Sequence, residues 1–319
     1  MGLVYAPIII PTLNRYVHLE RCISSLQKNA WAKYTPLYIS VDYPPDAKYE
    51  KGYEKVCQYL QRGIEGFASV QIFYQEHNLG AYDNEEFLVS EIRKQYDRYI
   101  FTEDDNQFSP NFIEFIDKGL ELFKNNQDIL SICGAGSAGE ETIYDNIVLS
   151  TNYTAYGCGE WIEKRDVYQT KICRNYFVTI AYSYRKMLQL AKKDPSLLFS
   201  LQSAVLRKER LYQRPDGEIP IIDMTMKIYL VLEHKYVVAS LKRKSRNWGY
   251  DGTGENCNGK EKNYLQQINA DIDMREKFEY VYSQPMKIQQ YKVRYSLETI
   301  LRIVMVFVKL SIWRIKNGT

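Results

Sequence analysis

Four short apolar runs in the first hundred residues, at 4–10, 37–41, 70–74 and 99–102, alternate with three segments that carry apolar residues at helical spacing. Leu19, Cys22, Ile23 and Leu26 stand at i, i+3, i+4 and i+7, and Tyr53, Val56, Cys57 and Leu60 repeat the spacing. A looser helix is expected around 87–92, and Pro11 and the pair Pro44-Pro45 punctuate the strand ends. A β-α-β-α-β-α-β series of this kind predicts an α/β fold, a mostly parallel central sheet flanked by helices. In such sheets ligands bind beyond the carboxyl ends of the strands. Those ends are Thr12-Leu13-Asn14-Arg15, Asp42, Asn78-Leu79-Gly80 and Glu103-Asp104-Asp105.

The rest of the chain is less regular. A helix bearing Phe112, Phe115, Ile116, Leu120 and Phe123 on one face is followed by a strand at 129–133 and a glycine- and tyrosine-rich stretch at 134–159. Helices are expected near 178–191 and 224–232, and a strand at 236–241. The pattern divides into residues 1–132, which end soon after the acidic cluster, residues 133–260, the second half of the same domain, and a basic helical tail at 261–319.

A chain of 319 residues with 45% hydrophobic residues has ample material for a core, and disorder is excluded. Its 42 basic and 39 acidic side chains leave a net charge of +3, too near neutral for a nucleic-acid binder. The charge is unevenly spread. Lys287, Lys292, Arg294, Arg302, Lys309, Arg314 and Lys316 face only Glu298 in residues 286–319, so the tail is +6 and the body −3. Six scattered cysteines form no CxxC pair, and the first residues carry no basic leader pattern, so a reducing, cytoplasmic setting is expected.

Carboxylates leaving an apolar strand are costly to desolvate unless something neutralises them. A divalent cation does so: hard Mg²⁺ or Mn²⁺ takes one or two carboxylates and completes its shell with water and phosphate oxygens. A solvated acidic turn is the alternative for Glu103-Asp104-Asp105. The run Gly134-Ala135-Gly136-Ser137-Ala138-Gly139 matches a dinucleotide-binding pattern after a strand, but lacks a good following helix and a later acid, and reads as a loop.

In order and spacing, Pro11-Thr12-Leu13-Asn14-Arg15, Asp42, Asn78-Leu79-Gly80 with Asn84, Glu103-Asp104-Asp105 with Ser109-Pro110-Asn111-Phe112, and Asn247-Trp248-Gly249-Tyr250-Asp251-Gly252 resemble the GT-A fold, family 2-type nucleotide-sugar glycosyltransferases of bacterial surface polysaccharide and lipopolysaccharide synthesis. The resemblance covers residues 5–257. It implies that Thr12, Asn14, Arg15, Asp42, Asn78, Gly80, Asn84, Glu103 and Asp104 surround a nucleotide-sugar donor, a UDP-sugar first among them. Asp104 and Asp105 correspond to the DXD motif, with Asp105 the direct metal ligand. The histidine that often completes the metal site late in such chains is absent from Gly252-Thr253-Gly254-Glu255-Asn256-Cys257, where Glu255, Asn256 or water could substitute.

If transfer inverts at the anomeric carbon, a base must activate the acceptor hydroxyl. Asp223 is the first candidate, with a helix N-cap as its alternative role. Glu160 in Gly157-Cys158-Gly159-Glu160-Trp161 is the rival, Trp161 and Trp248 are candidate acceptor platforms, and the basic run Lys242, Arg243, Lys244, Arg246 reads either as a solvated surface or as a lid. In the tail, the longest apolar run, 303–308, is far short of a bilayer span. Arg302, Lys309 and Lys316, spaced by sevens, form one stripe of an amphipathic helix able to lie at a membrane surface through 297–316; packing on the body or on a second copy is the alternative. The expectation is a cytoplasmic hexosyltransferase, peripheral on the inner face of the membrane, acting on a glycan or lipid-linked acceptor. Alternatives are a non-catalytic glycan- or nucleotide-binding relative, a nucleotidyltransferase and an NAD-dependent enzyme.

Overall fold

The computed structural model describes residues 5–135, 147–172, 174–206, 212–214, 217–219, 222–254, 271–289 and 295–317. The chain forms two compact units. Residues 1–150, 154–163 and 237–287 make the first, and 151–153, 164–236 and 288–319 the second. The boundary expected near 132 therefore falls inside a strand. What separates from the sheet is the helical segment 164–236 together with residues 288–319, while the first part of the expected tail stays with the sheet.

The first unit is built on an eight-stranded sheet. The predicted alternation is present as β1 (Ile8–Thr12), α1 (Tyr16–Gln27), β2 (Pro36–Val41), α2 (Ala47–Gln61), β3 (Ser69–Tyr74), α3 (Ala81–Ile92) and β4 (Arg98–Phe101). The series continues with β5 (Asn106–Phe108), α4 (Phe112–Leu122), β6 (Ile129–Cys133), β7 (Ile147–Ser150), β8 (Cys158–Trp161), β11 (Tyr236–Ser240) and β12 (Ser245–Asn247). Strand order is β3-β2-β1-β4-β8-β6-β11-β7. Strands β3, β2, β1 and β4 run parallel, whereas β8 is antiparallel to β4 and β6. Carboxyl ends of the four parallel strands consequently share one edge.

Strand alternation sorts the side chains between two faces. Ile8, Ile10, Leu37, Ile39, Val41 and Ile100 join Leu19, Ile23, Val56, Leu60, Phe112, Phe115 and Leu120 in one core, so α1, α2 and α4 cover that face. Ser40 points the other way, and its carbonyl accepts from Asn84 Nδ2 of α3 at 3.2 Å. Asn84 is thus a buried tie between α3 and β2.

Two features deliver later sequence to the strand ends. Strand β12 pairs antiparallel with β5, setting Asn247 opposite Asn106. Residues 271–282 then pass over α4, with Phe278 fully buried against Phe115 and its N–H on Glu114 Oε2 at 3.1 Å. Lys244 is fully buried there, paired with Asp273 and donating to Asn111 Oδ1 at 3.1 Å. Burial pushes its amine down to about 8, against the pull of Asp273. The expected solvated run or lid therefore contains a core ion pair that fastens the 271–282 segment.

The second unit holds α5 (Ile162–Lys171, entering from the first), α6 (Arg174–Ala181), α7 (Tyr184–Lys193), α8 (Pro195–Val205), the hairpin β9 (Tyr212–Arg214) and β10 (Gly217–Ile219), α9 (Ile222–Leu232) and a C-terminal helix Leu297–Asn317. Ser183 caps α7 and Asp194 caps α8, with Pro195 at the first turn where its missing N–H costs nothing. Phe177, Met187, Leu190, Leu198, Leu201 and Ile228 form its core, and the C-terminal helix adds Val306 and Leu310. The tail is thus part of this unit's core rather than a detached extension.

Candidate active site

The site begins where β1 and β4 end side by side. Asp104 and Asp105 follow β4 and are only 3% and 6% exposed, so neither carboxylate is solvated in the ordinary way. The solvated-turn reading fails on that burial. All four of their oxygens take donors from the chain. Thr12 Oγ1 donates to Asp104 Oδ2 at 2.7 Å and Asn247 Nδ2 to Asp105 Oδ1 at 2.9 Å. Arg15 bridges the pair, Nη1 to Asp105 Oδ2 at 2.8 Å and Nη2 to Asp104 Oδ1.

One guanidinium between two buried carboxylates leaves the cluster net negative. Burial raises the Asp105 carboxyl, Arg15 opposes that rise, and Asp104 adds to it. Arg15 is pulled down by burial, yet Asp104, Asp105 and Glu103 outweigh that and hold it above its usual range. Half-buried Glu103 stands beside the pair. The 3-10 turn Gly249–Asp251 closes over Asp105: the Trp248 N–H donates to the Asp105 carbonyl at 2.8 Å. A Cβ at Gly249 would stand 2.1 Å from Asp105 Oδ2, so this seat requires glycine.

Asp42, after β2, organises a turn. Its Oδ1 accepts from the N–H of Tyr43 and Leu79 at 2.9 and 2.8 Å, and its Oδ2 from Gly80 N–H and Asn78 Nδ2 at 2.9 and 3.1 Å. Gly80 takes φ 82°, a left-handed conformation natural to glycine, as α3 begins. Asn78 and Gly80 are thereby set at the same strand edge as Asp104 and Asp105.

Next to Arg15 opens a cleft of about 570 Å³ between the N-terminal halves of α1 and α2. Asn14, Arg15, His18, Arg21, Lys48, Lys51, Lys55, Trp248 and Asp251 line it. Sequence reasoning passed over His18 and Arg21. Arg21 lies 4.4 Å from the Trp248 ring centroid, and His18 Nε2 meets Asp251 Oδ2 at 3.0 Å. His18, Arg21 and Tyr16 share the α1 turn after Arg15, and helical spacing was the one signal that could have placed them together.

The structure brings Thr12, Asn14, Arg15, Asp104, Asp105 and Trp248 to one place. It does not bring Glu160 or Trp161. Glu160 is 2% exposed inside the sheet, accepting from the Tyr99 hydroxyl at 2.8 Å, where no acceptor hydroxyl reaches it. Trp161 is a core residue that donates to the Leu120 carbonyl at 3.2 Å. Asp223 lies half-buried in the first turn of α9, in the second unit, where a carboxylate suits the helix dipole. Gly134 is fixed by packing: its N–H donates to the Gly157 carbonyl at 2.8 Å, and a Cβ would meet Phe112 at 2.7 Å. Residues 136–139 of the glycine-rich run, and the alternative late ligands Glu255 and Asn256, lie outside the described residues.

Two adjacent carboxylates suit a hard divalent ion that fills its other positions with water and phosphate oxygens. Such an ion has to displace Arg15 from at least one oxygen, since the guanidinium holds that place. Among the described residues no cluster of three or more His, Cys, Asp or Glu side chains is arranged to hold a metal.

No protein-family model and no curated protein matches the chain by sequence. Among solved structures it is similar to S. aureus TarS, over 53% of this chain and 30% of that one, at 14% identity and TM-score 0.35. It is also similar to the mannosyltransferase PcManGT from Pyrobaculum calidifontis, solved with GDP-Man and Mn²⁺, over 50% and 45% of the two chains, at 8% identity and TM-score 0.35. Mouse xyloside xylosyltransferase 1 overlaps 72% of this chain with 82% of its own, at 11% identity and TM-score 0.34. The chain thus spans less than half the length of the first two.

Proposed function

We propose that the protein is a GT-A-type glycosyltransferase that moves a sugar from a nucleoside diphosphate donor, a UDP-sugar first among the candidates, to a glycan or lipid-linked acceptor in surface-polysaccharide synthesis. The observation that carries this reading is the buried Asp104–Asp105 pair at the end of β4, shared by Thr12 and Arg15 from the end of β1.

Departure of a nucleoside diphosphate builds negative charge on its β-phosphate, and lowering that charge is the main electrostatic task. Mg²⁺ or Mn²⁺ held by Asp105 and Asp104 would supply Lewis-acid stabilisation there. Thr12 and Asn247 keep both carboxylates oriented through their outer oxygens, and the Asp42-organised turn presents Asn78 and Gly80 to the nucleoside. Arg15, once released from a carboxylate oxygen, becomes a cation available to phosphate. For an inverting reaction Asp223 is our choice of base, Glu160 being sealed in the sheet.

A panel of UDP-, GDP- and dTDP-sugars, incubated with the protein and Mn²⁺, tests the reading. One donor is expected to release its nucleoside diphosphate faster than in protein-free controls. Calorimetric binding without turnover of any donor would favour the non-catalytic alternative, and neither binding nor turnover would overturn both.

The same proposal places the protein at a membrane surface. No described helix is long and apolar enough to cross a bilayer. The C-terminal helix nevertheless leaves Leu297, Leu301, Val304, Met305, Val308, Ile312 and Ile315 exposed on one side while Val306 and Leu310 enter the core. At 100° per residue, Arg302, Lys309 and Lys316 border that apolar stripe, the pattern of a helix seated on anionic headgroups. Vesicles containing phosphatidylglycerol should co-float the protein, and pure phosphatidylcholine vesicles should do so weakly. Replacing exposed Leu301 and Ile312 with aspartate should abolish flotation without lowering the melting temperature. Unchanged flotation refutes the surface, and a dimer broken by the same variant assigns the stripe to a second copy.

A further inference from the structure

The cleft beside Arg15 carries more positive charge than the fold needs. Among the described residues Arg15, Arg21, Lys48, Lys51 and Lys55 converge on it, and Asp251 is the only acid in its lining. Asp251 is engaged by His18 and Lys48 pairs with Asp46 at 3.2 Å, while Lys51 and Lys55 make no ion pair among the described residues. Like charges drawn together around a concave space repel one another and focus positive potential into it.

Close backbone contact also fixes the spacing of the cleft's walls. A Cβ at Gly52 would meet the Asn14 carbonyl oxygen at 2.4 Å, so glycine lets α2 close directly on the β1–α1 junction. Lys48, Lys51 and Lys55 then lie at i, i+3 and i+7, a single stripe of α2 turned toward α1. On the other wall Arg21 is held over the Trp248 ring, whose Nε1 donates to Gln107 Oε1 at 3.0 Å.

Position separates this cleft from the turn set by Asp42. Helices α1 and α2 cover one face of the sheet, whereas the turn at 78–80 leads into α3 on the opposite face. Arg15 stands between them, touching Asp104 and Asp105 and lining the cleft.

We infer that this cleft is a phosphoanion site, binding the phosphoryl groups of a phosphate-bearing ligand alongside the Asp104–Asp105 pair. Two sources supply that chemistry, the diphosphate of the donor and a phosphate or diphosphate on the acceptor. Its place on the α1–α2 face favours the acceptor. Assignment to the acceptor rests on the proposed transfer reaction; anion binding does not, and it is measured without any turnover.

The test is calorimetric titration of the whole chain with inorganic pyrophosphate in metal-free buffer, with a variant carrying Lys48→Ala, Lys51→Ala and Lys55→Ala. These three side chains are solvent-exposed, so the fold should survive, and a Lys→Arg triple variant controls for shape. Pyrophosphate should bind the native protein with an affinity that falls steeply with added salt. The alanine variant should bind about a hundredfold more weakly, and the arginine variant should retain binding. A second titration, with an alkyl diphosphate in the presence of saturating UDP, identifies the source. Simultaneous binding assigns the cleft to the acceptor, and displacement by UDP assigns it to the donor diphosphate. No pyrophosphate binding, or equal binding by the alanine variant, overturns the inference. Pyrophosphate binding in a protein that turns over no nucleotide sugar leaves it standing while the transfer reading fails.

Discussion

Asp105→Asn is expected to lower donor turnover by about 10³-fold while leaving the melting temperature of the ligand-free protein close to native. The two halves of that result have one cause. Asp105 is buried beside a second carboxylate, and burial already raises its pKa, so the folded protein is holding a charge it would more easily do without. Asparagine keeps an acceptor oxygen toward Asn247 and removes the repulsion with Asp104, but its amide nitrogen then faces Arg15 Nη1, so one arm of the Arg15 bridge is lost, Arg15 rests on Asp104 alone, and the gain and the loss offset each other. Charge lost from the site removes the anchor for a cation or a positioned guanidinium at the leaving diphosphate, an electrostatic contribution usually worth two to three orders of magnitude, or roughly 3–4 kcal/mol. A structural carboxylate would behave in the opposite way, losing stability first and activity only as a consequence. Turnover within about threefold of native, with a matching melting curve, would remove Asp105 from the reaction.

How far this arrangement was legible from sequence depends on the range of the contacts. Thr12, Arg15, Asp42 and Asp104–Asp105 each follow a strand that announces itself by an apolar run with a turn signal, and parallel order brings their ends to one edge without further information. Asn247 is different. Its place against Asp105 depends on the antiparallel pairing of β12 with β5, two three-residue strands about 140 positions apart, and runs that short carry no readable period. The family resemblance located the 247–252 segment, but not the hydrogen bond its first residue makes.

The stretch around Glu160 failed for a physical reason that can be named. Glu160 reads as the rival base and Trp161 as an acceptor platform, yet Gly157 borders β8 and the residues after it form that strand. A Cβ at Gly157 would stand 2.5 Å from Phe108, and one at Gly159 would stand 2.3 Å from Ile116. The glycines are demanded by aromatic and aliphatic packing under the sheet, and Glu160 and Trp161 are carried into the interior with them. Lys244 gives the same lesson for charge. A basic run reads as solvated because each lysine is judged alone, and only Asp273, 29 residues later, explains a cation with no exposed surface. Elements whose period and turn signals stand in their own sequence were predictable, and side chains whose partners come from afar were not.

The stability of the first unit should depend on pH through Asp117, a residue remote from the proposed chemistry. Asp117 sits on α4 with 1% exposure; its Oδ1 accepts from the Ala6 N–H at 3.0 Å, and its Oδ2 has no hydrogen-bond partner. The neighbouring Tyr280 hydroxyl is already committed to the Phe115 carbonyl. Burial pushes the carboxyl up to about 7 from its ordinary 3.8, against smaller pulls from the Ala6 N–H and Arg98. Because the folded pKa lies above the unfolded one, the native state holds the proton more tightly. The stability this confers is fully present below about pH 4 and is lost progressively as pH rises through 7. Three pKa units correspond to about 4 kcal/mol, a large part of the 5–15 kcal/mol that holds a typical domain together. Asp117→Asn keeps the acceptor for Ala6 and mimics the protonated acid at every pH. Urea melts of the native chain and the variant at pH 4.5, 6 and 8 should therefore diverge, the variant gaining about 4 kcal/mol at pH 8 but only about 1 kcal/mol at pH 4.5. Activity of the two proteins at matched folded fraction should be the same, because Asp117 touches nothing in the site. A native-minus-variant difference that stays flat across that range would mean that Asp117 titrates as an ordinary carboxylate, and the pH dependence of folding would then have to come from elsewhere.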